Sequence, residues 1–198
     1  MGKVVLDITM SLDGYVAAPN DGVGAGLGVG GERLHNWVFG GPWSYDEQTG
    51  SPTGVDAEVI EEMFGSVGAV IVGRRMYDVT EGWGGSNPFP VPCFLLTHRP
   101  TSEYGTEGFT LVTDGIHSAL AQAQAVAVEK QVGIFGGANV AQQYLAAGLV
   151  DQMQIHLAPV LLGGGTRLFG DTAAPVSLER TRTVESPYAT HLRFDVLK

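Results

Sequence analysis

Cysteine is almost absent from this chain. A single thiol, Cys93, stands in 198 residues, which excludes an internal disulfide framework and fits a reducing cytosol. Positive charge is scarce too: 11 Lys and Arg face 21 Asp and Glu, for a formal net charge of -10. A nucleic-acid partner would ask for a basic face, and this composition argues against one. No apolar run approaches the ~20 residues of a membrane span. Met1 leads straight into KVVLDITM, without the basic and apolar regions of a secretory signal. These absences predict a soluble, cytoplasmic protein that engages neither nucleic acid nor membrane. No block of like charges reads as a disordered tail, and the length suits one domain, residues 1–198, with a real core.

Glycine, by contrast, is plentiful at 29 residues. It gathers between Gly22 and Gly54 and at strand-to-helix junctions, which reads as functional loops rather than disorder. Short apolar segments at Lys3–Met10, Ala69–Gly73, Cys93–Thr97 and Phe109–Val112 read as strands. Helical patterns lie between them: Glu32–Phe39, a helix capped by Asp56 running to about Phe64, Arg74–Val79, and an alanine-rich helix capped by Asp114. Alternation of this kind predicts parallel strands covered on both faces. The C-terminal segments 151–162, 176–185 and 190–197 lack intervening helices and predict an antiparallel edge. The fold class is therefore α/β, a central mixed but mostly parallel sheet flanked by helices. The long terminal strands also offer an edge for a homodimer.

Three junctions carry chemistry. In VGIFGGANV a buried segment ends at Gly136-Gly137 and a helix begins at once. Bare N–H groups and a positive dipole end make that terminus a ready site for a pyrophosphate. In VGRRMYD, Val72–Asp78, a glycine ends a strand and Arg74 and Arg75 open the next helix. Guanidinium forks there suit phosphate; surface salt bridges are the plainer alternative. In LLTHRP, Leu95–Pro100, the strand releases a hydroxyl, an imidazole and a guanidinium into one loop, donors able to hold the 2'-phosphate of NADPH. Parallel strands would bring these ends to one edge, beyond which ligands of open sheets bind. Gly26, Gly28 and Gly31 satisfy G-x-G-x-x-G, but no strand directly precedes them, so the Rossmann reading fails.

With SLDGYVA, Ser11–Ala17, and APVLLGGGTRLF, Ala158–Phe169, these motifs span nearly the whole chain. In that order and spacing they resemble the RibD C-terminal reductase family, built on the dihydrofolate reductase fold. The resemblance implies an NADPH-dependent reductase with a small heterocyclic, pyrimidine- or pterin-like substrate. Arg74 and Arg75, after Gly73, would meet cofactor phosphates, and Thr97, His98 and Arg99 the adenosine 2'-phosphate. Gly136, Gly137, Ala138, Asn139 and Val140 would receive the pyrophosphate and nicotinamide side, and Thr9, Val16 and Ala17 would line the nicotinamide pocket. Met76 stands where dihydrofolate reductases usually place a threonine, and Asn139 where many carry an arginine. The zinc-deaminase signature of bifunctional riboflavin enzymes is missing, and no metal site is expected.

On the substrate side, dihydrofolate reductases place a carboxylate on the helix after the first loop. Here that helix reads GGERLHNWVFG, so Glu32 and His35 are candidates, with Trp37 or Phe39 stacking partners and Trp83 another wall. Glu32 as a capping residue with Trp37 in the core is the alternative. Asp13 either contacts a substrate hydroxyl or stabilises the turn before Gly14. His156 alternates with Ile155 and Leu157, and faces either the cleft or a partner within the sheet. The rival to catalysis is a nucleotide- or pterin-binding protein without turnover.

Overall fold

Valine, leucine and isoleucine dominate β1 (Val4–Ser11), and it becomes the strand around which the rest is arranged. A computed structural model describes residues 2–48, 50–99, 104–170 and 175–198. The further strands are β2 (Tyr15–Ala17), β3 (Val67–Gly73), β4 (Cys93–Leu96), β5 (Phe109–Val112), β6 (Gln131–Gly136), β7 (Gln152–Ala158), β8 (Thr166–Arg167), β9 (Ser177–Glu185) and β10 (Thr190–Leu197). Eight of them form one sheet in the order β5-β4-β3-β6-β1-β7-β10-β9, and β2 pairs with β8 apart from it. Pairing is parallel from β5 through to β7, and β10 is antiparallel to both β7 and β9. The mixed sheet with an antiparallel C-terminal edge is thus the expected one.

Helices cover both faces. On one lie α5 (Ile116–Ala127) and α6 (Ala138–Ala146), whose alanines 119, 123, 127 and 141 pack closely on Leu6, Ile71, Ile134 and Met153. Small residues at helical spacing let these helices sit low on the sheet. On the other lies α2 (Gly54–Ser66), beside the single turn α1 (Asn36–Phe39), where Val59 meets Trp37 and Ala189. A third cluster joins Val70, Val72 and Leu95 to Tyr77 of α3 (Arg74–Val79) and to Phe109. Trp83 belongs to it, from a left-handed turn, α4 (Glu81–Gly85).

Several local expectations shift. The helix expected at Glu32–Phe39 divides into a 3-10 turn, Gly31–His35, followed by α1. Neither Asp56 nor Asp114 caps a helix: Thr53 and Gly115 hold those positions, and neither makes a side-chain cap bond. Asp56 instead lies inside the first turn of α2 and is buried. The strand from residue 151 ends at Ala158, not 162, because Pro159 lacks the N–H a ladder needs.

The β2–β8 pair depends on Gly165. Its φ is +114°, and a Cβ there would lie 2.1 Å from the Ala17 carbonyl oxygen, whereas Gly163, at φ +71°, opens on empty space. Gly163→Ala should therefore cost about 1 kcal/mol, the left-handed penalty alone. Gly165→Ala should cost about 3 kcal/mol or more, since displacement of β2 adds to it. Thermal unfolding of the two variants measures the difference; equal losses would contradict the close approach.

Candidate active site

Parallel pairing brings the C-terminal ends of β1, β3, β4 and β6 to one edge, and a cavity of about 720 Å³ lies there. That is the size of a small-molecule site. Its walls include Thr9, Val16, Ala17, Gly73, Arg74, Arg75, Thr97, His98, Gly136, Gly137, Ala138, Asn139, Val140 and His156. Residues from five separate segments expected to meet the cofactor, and His156 from the substrate side, thus converge on one space.

At one end the backbone is unusually bare. Gly136 has φ +124°, the Gly136–Gly137 peptide is cis, and Gly137 precedes α6 without a side-chain cap. A Cβ on Gly137 would meet nothing within 4 Å, so the first turn of α6 faces open space. Gly73 lets β3 close on this turn: a Cβ there would lie 2.7 Å from Val140 Cγ2. An uncapped helix terminus flanked by guanidinium groups fits a pyrophosphate.

Those guanidinium groups already have partners. Arg74 Nε donates to Asp78 Oδ1 at 2.6 Å and Arg99 Nη2 to Asp78 Oδ2 at 2.5 Å. Arg75 Nη2 donates to Asp21 Oδ1 at 2.7 Å. Of the two alternatives posed by the sequence for Arg74 and Arg75, the salt bridges are present. Thr97 is buried and exchanges hydrogen bonds with the Arg99 backbone, while His98 is exposed at the rim. Arg99 is not among the cavity-lining residues but reaches the rim through Asp78. Pro100 lies outside the described residues.

The other end is aromatic and polar. Trp37 lies 4.2 Å from the His156 ring, centroid to centroid, and its indole N–H donates to Thr9 Oγ1 at 3.0 Å. His156 Nε2 is 2.9 Å from Asp7 Oδ1, and its Nδ1 is 2.7 Å from Nδ1 of His191. His191 Nε2 is in turn 2.9 Å from Asp56 Oδ1. Burial lowers the pKa of His191, and the His156 ring lowers it further, against the pull of Asp56. Burial also drives His35 down to about 4, with His156 adding to the shift. The two readings of His156 prove compatible, since it both lines the cavity and is partnered within the sheet.

Other candidates fall elsewhere. Glu32 does not line the cavity; its carbonyl accepts from the Trp43 indole, at 2.7 Å. The first long helix after the first loop is α2, whose buried carboxylate is Asp56. Neither Phe39 nor Trp83 lines the cavity: Phe39 lies against Trp43, and Trp83 packs on Phe109 and behind Phe89, which does line it. Asp13 also stays outside: it accepts from Ser11 Oγ at 2.7 Å and from the backbone N–H groups of Leu162 and Gly163. It is a strut between the first turn and the glycine-rich strand end. Cys93 is buried, which pushes its thiol up to about 12 and makes it a poor nucleophile.

Asp7, Asp56 and His191 were not anticipated. The available signal was period-2 polarity inside otherwise apolar strands: Asp7 with Thr9, Gln154 with His156, and His191 with Arg193. Among the described residues no group of three or more His, Cys, Asp or Glu is arranged to hold a metal ion, and no helix is long and apolar enough to cross a membrane.

Known proteins share this fold. A family model described as the RibD C-terminal domain matches residues 90–192. The chain belongs to the RibD C-terminal domain family. The uncharacterised protein YwjB of Bacillus subtilis strain 168 is 25% identical over 195 residues, covering 97% of both chains. A putative riboflavin biosynthesis protein of Shewanella sp. PV-4 shares the fold with a TM-score of 0.74 at 23% identity, over 100% of each chain. Dihydrofolate reductase of Enterococcus faecalis, solved in complex with NADP(H), shares it with a TM-score of 0.60 at 15% identity, over 100% of this chain and 98% of that one. The dihydrofolate reductase fold is therefore established for this member of the family.

The Asp13 strut gives a pH test. The Ser11 hydroxyl above all, then the two backbone N–H groups, lower its pKa from 3.8 to about 2. A carboxylate lowered on folding stabilises above its unfolded pKa, and that contribution disappears as pH falls through the folded value. Asp13→Asn should therefore lower the melting temperature at pH 7. The gap from the parent should narrow below about pH 4 and close near pH 2. A gap independent of pH would remove the ionic role.

Proposed function

We propose that this protein is an NADPH-dependent reductase that reduces a small heterocyclic substrate of pyrimidine or pterin type. One observation carries the reading: a single cavity has an uncapped helix terminus with arginines at one end and an aromatic wall with polar groups at the other. The first end suits a nucleotide pyrophosphate, the second a flat, hydrogen-bonding ring. Kinship supports it, since one structural relative is described as a riboflavin biosynthesis protein and another was solved with NADP(H).

In this reading the α6 N-terminus, from Gly137 to Val140, binds the pyrophosphate, and Arg74 and Arg75 neutralise it. Thr97, His98 and Arg99 surround the 2'-phosphate. Thr9, Val16 and Ala17 wall the nicotinamide, which when bound supplies the hydride. Trp37 offers the substrate a flat surface, and Asp7, Thr9, His35 and His156 offer it polar atoms. The enclosing loops exclude water and align the two rings. The 198 residues act as one domain, and the exposed edge strand β9 with Leu178 suits a homodimer contact.

Tryptophan fluorescence tests this directly, because Trp37 lines the cavity. Titration should give micromolar NADPH binding, with NADH weaker. Arg74→Ala should weaken NADPH about tenfold, and Arg99→Ala should erase the preference over NADH. Absence of binding by either nucleotide overturns the assignment. Tight binding without oxidation across a panel of pterins, pyrimidines and quinones leaves a nucleotide-binding protein without turnover.

A further inference from the structure

The buried wall of the cavity carries a row of four titratable side chains from four elements: Asp7 of β1, His156 of β7, His191 of β10 and Asp56 of α2. Strand alternation puts them together. Thr9 pairs with His156 and His156 with His191, so these residues share the sheet face that α2 covers. Both histidines are 1% exposed.

Satisfying every contact in this row sets a proton count. Two Nδ1 atoms 2.7 Å apart need one proton between them, since two lone pairs or two N–H groups would repel. Each Nε2 faces a carboxylate oxygen at 2.9 Å, and each of those contacts also needs one proton. The row therefore holds three protons on four groups, one more than two carboxylates and two neutral imidazoles contain. Carboxylic acids are the stronger acids, so the extra proton resides on the imidazole pair. The surroundings limit the pair to that one extra proton. Burial and the His156 ring hold His191 below the ordinary histidine range, so the two rings are not both cationic. His35, which faces His156 from the 3-10 turn, is kept neutral. Trp37 lies against both rings, tilted over His156 and edge-on to His191. The next charged groups on this face are Arg193 and Glu62, which bond to each other and, through Arg193, to Gln154.

Only one end of the row is open. Asp7 is 11% exposed and lines the cavity, as does His156; Asp56 and His191 are not lining residues. Asp7 also borders a smaller cleft beside Ser66, Gln131 and Gln154. We infer that the His156–His191 pair, clamped between Asp7 and Asp56, is the proton store of this cavity and delivers its extra proton through Asp7 to the heteroatom of a substrate's polar double bond. The inference deepens the reductase reading and rests on it. The carbon of a C=N or C=O bond takes the hydride, the heteroatom takes the proton, and the double bond becomes CH–NH or CH–OH as the nicotinamide is oxidised. The pair passes from cationic to neutral, and solvent returns a proton to it by way of Asp7. Asp7 is the catalytic acid; His191 and Asp56 are positioning residues.

Two measurements test this. The first needs no ligand: long-range proton–nitrogen NMR of the histidine rings at pH 7 to 9. It should find three ring protons shared by His156 and His191, one bridging their Nδ1 atoms. Two neutral rings with one proton each would overturn the proposal, even if NADPH binds and is oxidised. The second is the pH profile of turnover in Asp56→Asn. Loss of one flanking anion loosens the proton, so the alkaline limb should move about one unit to lower pH, a tenfold loss of rate above it. NADPH affinity should stay within about twofold, since Asp56 is remote from the phosphate end. A rate lowered by one factor at every pH marks a merely structural role and overturns the proposal. Should this variant not fold, the NMR result on the parent protein decides alone. Failure of the parent to bind NADPH would instead sink the reductase reading and leave the NMR result standing.

Discussion

The in-register pairing of β1 with β6 on one side and β7 on the other is the constraint from which the rest follows. Leu6 lies opposite Ile134 in one ladder and Met153 in the other, and all three are buried. A slip of one residue in either ladder would turn that apolar row outward and put Asp7 into the core of α5 and α6. Hydrophobic burial thus fixes a register, and the register dictates which polar side chains meet. Thr9, His156 and His191 share a level because Leu6 and its neighbours could not lie otherwise.

The same parallel ladders account for the other end of the cavity. Strands that run one way end on one edge, so Gly73, Thr97 and Gly136 gather there although some forty residues separate Thr97 from Gly136 in sequence. Glycine at two of these ends is a packing demand. Val140 and the Gly137 nitrogen lie too close to Gly73 for a side chain, and the φ of Gly136 excludes one. Backbone N–H groups consequently face the cavity where side chains would otherwise cover them.

Much of this was legible in the sequence because it is local. A strand that ends in glycine and runs into a helix announces itself, and so do paired arginines in a chain poor in them. What escaped was long-range. Asp56 reads as a helix cap because an acid just before an apolar-periodic run ordinarily is one; only the distant β10, which brings His191 beneath α2, reveals its partner. Likewise Glu32 stands in the first helical pattern after the loop, which folds as a 3-10 turn and one turn of helix. Thirteen residues of α2 came later, past a glycine-rich stretch with no period to read. Asp13 shows the converse. Its turn was visible, but its grip on Leu162 and Gly163 depends on a return of the chain 150 residues on.

The rim arginines carry one more consequence. Asp78 and Asp21 occupy the places on Arg74, Arg99 and Arg75 that a phosphate would take, so the empty protein supplies its own anions. Two carboxylates offset all but one of these three guanidinium charges. In the proposed reading, nucleotide binding is an exchange of anions rather than the filling of a vacant cation site. Its affinity then reflects the margin by which a phosphate outbids a carboxylate, together with the one positive charge left over.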